Sequence, residues 1–135
     1  MIEACFTVYY RRATQLAGAM KLCQDDLPAY ASAAVLLAVH SAISYSDALL
    51  IGLGNARPRG ESHREAVTAL KGTCTKAGID HHGITHLQRL LSAKTDISYG
   101  DKQIEDEKVT ALCIAAERFE VWVERILQRR EGRLS

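Results

Sequence analysis

Between Ala33 and Ile43 the sequence AAVLLAVHSAI puts apolar or small residues on every side of a helix, while the flanking stretches are apolar on one side only. A helix that is apolar all round belongs inside a packed bundle, so Ala31 to Leu53 is expected to form its central member. Upstream, Phe6, Tyr9, Ala13, Leu16, Met20 and Cys23 are spaced alternately by three and four, which predicts a first helix over about 5–23 with Arg11, Arg12, Gln15 and Lys21 facing solvent. Asp25 or Asp26 is placed to cap the second helix, with Pro28 in its first turn, where a missing N–H costs nothing. That helix should end near Gly52 and Gly54, and the charged run NARPRGE with Pro58 and Gly60 reads as a surface loop.

Ser62 with Glu65 has the capping-box spacing and opens a shorter third helix through Ala66, Leu70 and Cys74 to about Lys76. Gly78 breaks it. Asp80 is then expected to cap a fourth helix carrying Ile84, Leu87, Leu90 and Leu91, fading by about Thr95. The run DISYGDKQI over 96–104 has no helical seam and reads as an irregular connection. Val109, Leu112, Ala116, Phe119, Val123 and Ile126 mark the last helix, Trp122 widens its stripe, and the polar tail after Leu127 is expected to fray. No strand-like alternation or repeat occurs. The pattern predicts an all-α, up-and-down antiparallel bundle of four main helices plus one shorter helix, in a single domain over 1–135.

A length of 135 residues suffices for a hydrophobic core without a metal or disulfide staple. The formal charge of +1 argues against a strongly basic nucleic-acid binder, so nucleic acid is not the expected partner. Cys5, Cys23, Cys74 and Cys113 lie far apart without a CxxC pair, at positions that read as apolar helix faces. Such reduced core thiols, with no charged-then-apolar leader after Met1, fit a cytoplasmic chain. The central run approaches the length of a membrane span, but His40, Ser41, Ser44, Tyr45, Ser46 and Asp47 interrupt it, so no membrane association is expected.

At about 100° per residue His40, Ser44 and Asp47 fall within about 60° of one another, a polar stripe flanked by Leu36, Ile43 and Leu50. It either hydrogen-bonds neighbouring helices or lines a cleft or self-association surface. His82 and His86 would share a helix face beside His81, but only Asp80 lies near enough in sequence to add to a site, so exposed histidines rather than a metal centre are expected. Glu117, Glu120 and Glu124 sit among Arg118 and Arg125, which reads as solvated i, i+4 pairing. Arg125, Arg129, Arg130 and Arg133 form a basic end that suits a helix C-terminus and offers a lesser option for nucleic-acid contact. No phosphate-cradling glycine loop, nucleophile elbow or local Cys–His pairing is present, and no cofactor is implied.

The stretches SYSDALLIGLG, GESHREAVTAL, RLLSAKTDISYGD and AAERFEVWVERIL together resemble a HEPN domain, a superfamily named for nucleotide binding in higher eukaryotes and prokaryotes, over about 31–127. The resemblance implies a dimerising helical bundle, often paired with a minimal nucleotidyltransferase in toxin–antitoxin systems. Nuclease members carry an arginine and a histidine four to six residues apart before the last helix. No histidine follows His86 here, and Arg57 with His63, which have that spacing, flank Pro58 in a different loop. The chain is more similar to the non-nuclease variant, where a basic residue precedes an Asp and a Tyr. Lys94, Asp96 and Tyr99 occupy that region, with Ile97 and Ser98 intervening.

The expectation is therefore a non-catalytic binding protein and homodimer for a nucleotide or a nucleotidyltransferase partner, using His40, Ser44, Asp47, Lys94, Asp96 and Tyr99. The alternatives are a ribonuclease toxin built from converging groups such as Arg57, His63 and His40, or a structural subunit of a larger assembly.

Overall fold

A computed structural model describes residues 2–54, 63–99 and 104–134, with side chains described over 5–54, 64–95 and 104–130. Five helices account for nearly all of this: α1 (Ile2–Gln24), α2 (Leu27–Gly52), α3 (His63–Ala77), α4 (Ile84–Tyr99) and α5 (Asp106–Leu134). No strand occurs among the described residues. The chain is an all-α bundle.

The fold is organised around α2, which packs against each of the other four helices. Ala31, Ala34, Val35, Ala38, Val39 and Ala42 are buried along it, and Ala13, Ala17 and Met20 of α1 meet them. Small side chains let helix backbones approach closely, and Ser41 Oγ uses that proximity to donate a 3.0 Å hydrogen bond to the Ala13 carbonyl. Further along the pair, the Tyr10 ring meets Tyr45 edge-on. Ser41 meets Ala13 and Tyr45 meets Tyr10, so residue numbers fall along α1 as they rise along α2 and the two helices run antiparallel. Against α5 the order is the reverse. Tyr45 reaches Glu120 and Gly52 lies beside Leu127, so α2 and α5 run in the same direction.

The α2 helix also has the length and mean hydropathy of a membrane span, and 78% of its most apolar window is buried inside the bundle. Its apolar surface is thus largely covered by the chain itself.

Every predicted seam position of α5 is buried, from Val109 to Ile126, and so are Ile84, Leu87, Leu90 and Leu91 of α4. Each of these larger side chains contributes about 1.5–3 kcal/mol through removal from water. The N-terminal seam is less complete, because Phe6, Tyr9, Leu16 and Cys23 are half-buried.

Several expectations need correcting. Asp26 occupies the N-cap of α2, but its side chain makes no capping hydrogen bond, and Tyr30 departs from helical geometry at φ −125° and ψ 23°. The uninterrupted helix therefore starts at Ala31. Asp80 does not cap α4 either; its Oδ1 accepts from the His82 N–H at 2.9 Å and closes a turn before the helix begins. The α4 helix runs on through Tyr99 where an irregular connection was expected, because no glycine or proline intervenes before Gly100 and a missing seam does not stop backbone hydrogen bonding. The α5 helix extends through Leu134, past its last core contact at Leu127, since Gln128 to Glu131 are strong helix formers. Cys5 is exposed, not a core thiol. Ser62, Arg57 and the charged loop lie outside the described residues.

Candidate ligand-binding groove

The polar stripe on α2 divides. His40 is exposed, whereas Ser44 and Asp47 are buried. Partial burial of the His40 ring and then the positive charge of Lys94 push its pKa below 6.5, so α2 and α4 bring these two cation-forming groups into electrostatic contact. Lys94 itself is half-buried. The side chains of Asp96 and Tyr99, and that of His63, lie outside the described residues.

The three histidines of the α3–α4 region do not converge on one point. His81 Nε2 lies 3.1 Å from Thr75 Oγ1, and the His82 and His86 rings stand edge-on with centroids 6.4 Å apart. Burial first, then Arg118, His82 and Arg89, lower the His86 pKa. Among the described residues no three His, Cys, Asp or Glu side chains are grouped to hold a metal ion.

A groove of about 510 Å³ opens where the end of α2, the α3–α4 turn and the last turns of α5 meet. Its turn wall comprises Gly78, Ile79, Asp80 and His82, and its helix wall carries Trp122, Arg125, Ile126, Arg129 and Arg130. On α5 the positions 122, 125, 126 and 129 follow i, i+3, i+4, i+7 spacing, so the indole and two guanidinium groups project to one side over about 10 Å of helix. The turn is held by short backbone bonds, Ile79 N–H to the Cys74 carbonyl at 2.8 Å and Ile84 N–H to the His81 carbonyl at 3.0 Å. Gly78 ends α3 at φ +70°, a conformation that side-chain-bearing residues rarely adopt. Trp122 rests on Gly83 and tilts against Phe119 at 5.7 Å. The turn wall and the indole are thus held by contacts within the chain, and Arg125, Arg129 and Arg130 are exposed on the facing helix.

The sequence identified Arg125, Arg129 and Arg130 as a basic end but treated Trp122 as a wider part of the seam. Reading position 122 with 125 and 129 as one face would have joined them. The contributions of Asp80 and His82 depend on how the turn folds back onto α5, which no local spacing reveals.

A second groove, of about 640 Å³, runs between α1 and α5, lined by Lys21, Glu117, Glu120, Val121, Glu124, Arg125 and Gln128. Beneath it the buried Tyr45 hydroxyl donates to Glu120 Oε1 at 3.1 Å. Burial, followed by the charge and hydrogen bond of Glu120 and the charges of Glu124 and Tyr10, raises the Tyr45 pKa well above 10. Glu124 Oε1 is buried with no hydrogen-bond partner, and because Glu124 stands six residues from Arg118 and one from Arg125 the expected i, i+4 pairing is not open to it.

No family model matches the chain, and no curated protein matches it.

Proposed function

We propose that this chain is a HEPN-like, non-catalytic binding protein that takes a nucleotide in the groove between the α3–α4 turn and α5. The observation that carries the reading is the joint placement of Trp122, Arg125, Arg129 and Arg130 around one cavity. Guanidinium groups match phosphate oxygens with charge-assisted, bidentate hydrogen bonds, and an indole offers an apolar aromatic surface to a base. The cavity volume lies within the range of about 300–1,000 Å³ usual for small-ligand sites. Guanidinium groups stay protonated at neutral pH and do not act as acids or bases, so this chemistry favours retention of a ligand over turnover.

On this reading the protein acts in the cytoplasm as a homodimer beside a minimal nucleotidyltransferase, in a toxin–antitoxin-type pair. Dimerisation through α2 draws support from the half-buried Leu36, Leu37 and Ile43 around the exposed His40. Titration calorimetry with ATP, inorganic phosphate and a short single-stranded RNA tests the ligand assignment. Saturable heat with ATP, reduced by Arg129→Gln and exceeding that of phosphate alone, is expected. Absence of heat with ATP contradicts it.

The ribonuclease alternative retains one observation, the exposed His40 within the field of Lys94. RNA cleavage by the purified protein that His40→Ala abolishes would favour it over the binding reading.

A further inference from the structure

No carboxylate stands three or four residues from Arg118, Arg125 or Arg129, so none of these arginines meets an acidic partner one turn away along α5. At about 100° per residue they fall with Trp122 inside a stripe about 60° wide. All three are exposed. Trp122 stands between them, with Arg118 about 6 Å along the axis on one side and Arg125 and Arg129 about 5 Å and about 10 Å on the other. Arg118 lies outside the groove, but α4 adds cations on its side of the indole. The turn before α4 touches Trp122 at Gly83, and one turn further on the His86 N–H donates to the Gly83 carbonyl at 3.1 Å. The His86 ring stands edge-on to that of His82, which lines the groove. The charged groups that act on His86 are Arg118, His82 and Arg89, all cation-forming. The α4–α5 face thus carries a second cationic cluster on the far side of Trp122 from the first.

Resting on the reading of the groove as a nucleotide site, we propose that its ligand carries phosphate on both sides of the base that meets Trp122. The shared chemistry is a nucleoside 3′,5′-bisphosphate unit, free or as an internal nucleotide of a strand. Its 5′-phosphate pairs with Arg125 and Arg129, and its 3′-phosphate with Arg118 and Arg89, where a ring N–H of His86 donates beside them. Guanidinium forks match phosphate oxygens at each end, and a ligand phosphorylated on one side only leaves the second cluster without an anion.

Adenosine 5′-diphosphate and adenosine 3′,5′-bisphosphate are isomers that differ only in where the second phosphate sits, so the number of phosphates does not separate them. Both are titrated against the full chain by Trp122 emission at low salt, with circular dichroism to establish that each variant is folded. Arg118→Gln should weaken the bisphosphate about tenfold and leave the diphosphate within about twofold, as expected for loss of one charge-assisted contact made only to the 3′-phosphate. Arg89→Gln should repeat that pattern, and Arg125→Gln should weaken both isomers. A trimer of adenylate assigns the source: binding tighter than that of the bisphosphate and reduced by Arg118→Gln identifies a strand, and weaker binding identifies a free nucleotide. Equal effects of Arg118→Gln on the two isomers, or no effect on either, overturn the proposal and leave the nucleotide reading standing. Emission unmoved by all three ligands overturns both.

Discussion

The indole of Trp122 occupies the space that any Cβ on Gly83 would need, with Cε3 only 2.6 Å from that position. This contact locks the turn before α4 against α5 and fixes the turn wall of the groove. Gly83→Ala should therefore destabilise the fold by about 1–3 kcal/mol, the usual cost of overpacking a rigid neighbour. Urea denaturation of the four proteins in a Gly83→Ala, Trp122→Leu cycle should show most of that cost removed when the indole is absent. A cost that persists unchanged in the Trp122→Leu background would mean that the contact is not its origin.

Tyr45 links the centre of α2 to α5 through Glu120. Replacing it with Phe keeps the buried ring and deletes the hydroxyl, so the loss should be about 0.5–1.5 kcal/mol. The folded protein holds the Tyr45 proton more tightly than the unfolded chain, which titrates near 10. Its contribution is complete below pH 10 and falls as the pH rises above that value. Urea unfolding from pH 9 upward should show a shallower alkaline decline in Tyr45→Phe than in the parent protein.

The four cysteines should separate by reactivity. Cys5 is exposed, Cys23 is half-buried, and Cys74 and Cys113 are enclosed, with burial as the main cause raising both of their thiol pKa values from 9.0 to about 11. A thiol-reactive chromophore should modify Cys5 quickly, and Cys74 and Cys113 only after denaturation. Because these two thiols keep their protons longer in the folded protein, their share of stability is intact below pH 9 and is lost as the pH rises towards about 11. Fast labelling of Cys113 in native buffer would contradict the packing described.

The half-buried residues on the outer face of α2 give a prediction for assembly. Leu36→Asp should convert a dimer to a monomer by light scattering while leaving the helical circular dichroism signal in place. A parent protein already monomeric at micromolar concentration would remove α2 as a dimer surface.

Much of this fold was legible in the sequence because apolar spacing alone decides which face of a helix is buried. Val109, Leu112, Ala116, Phe119, Val123 and Ile126 are a clear case. Helix ends were less legible, since backbone hydrogen bonding carries α4 to Tyr99 and α5 to Leu134 beyond the last core contact. Asp26 and Asp80 have the right chemistry for caps, but side-chain geometry decided whether either formed one. The candidate site was the hardest to read. His40, Ser44 and Asp47 share a helical face, yet neighbouring helices bury two of them and leave the third exposed. Trp122 and His82 are distant in sequence, and only the return of the α3–α4 turn onto α5 places them on one cavity.

Trp122 is the single tryptophan of the chain and lines the proposed groove, so no other indole contributes to the emission read there. Titration with ATP at low salt should change that emission saturably, and Arg125→Gln with Arg129→Gln should abolish the change while the fold persists. Emission that stays constant through the titration, or a response that survives loss of both arginines, would contradict the assignment of this groove as the nucleotide site.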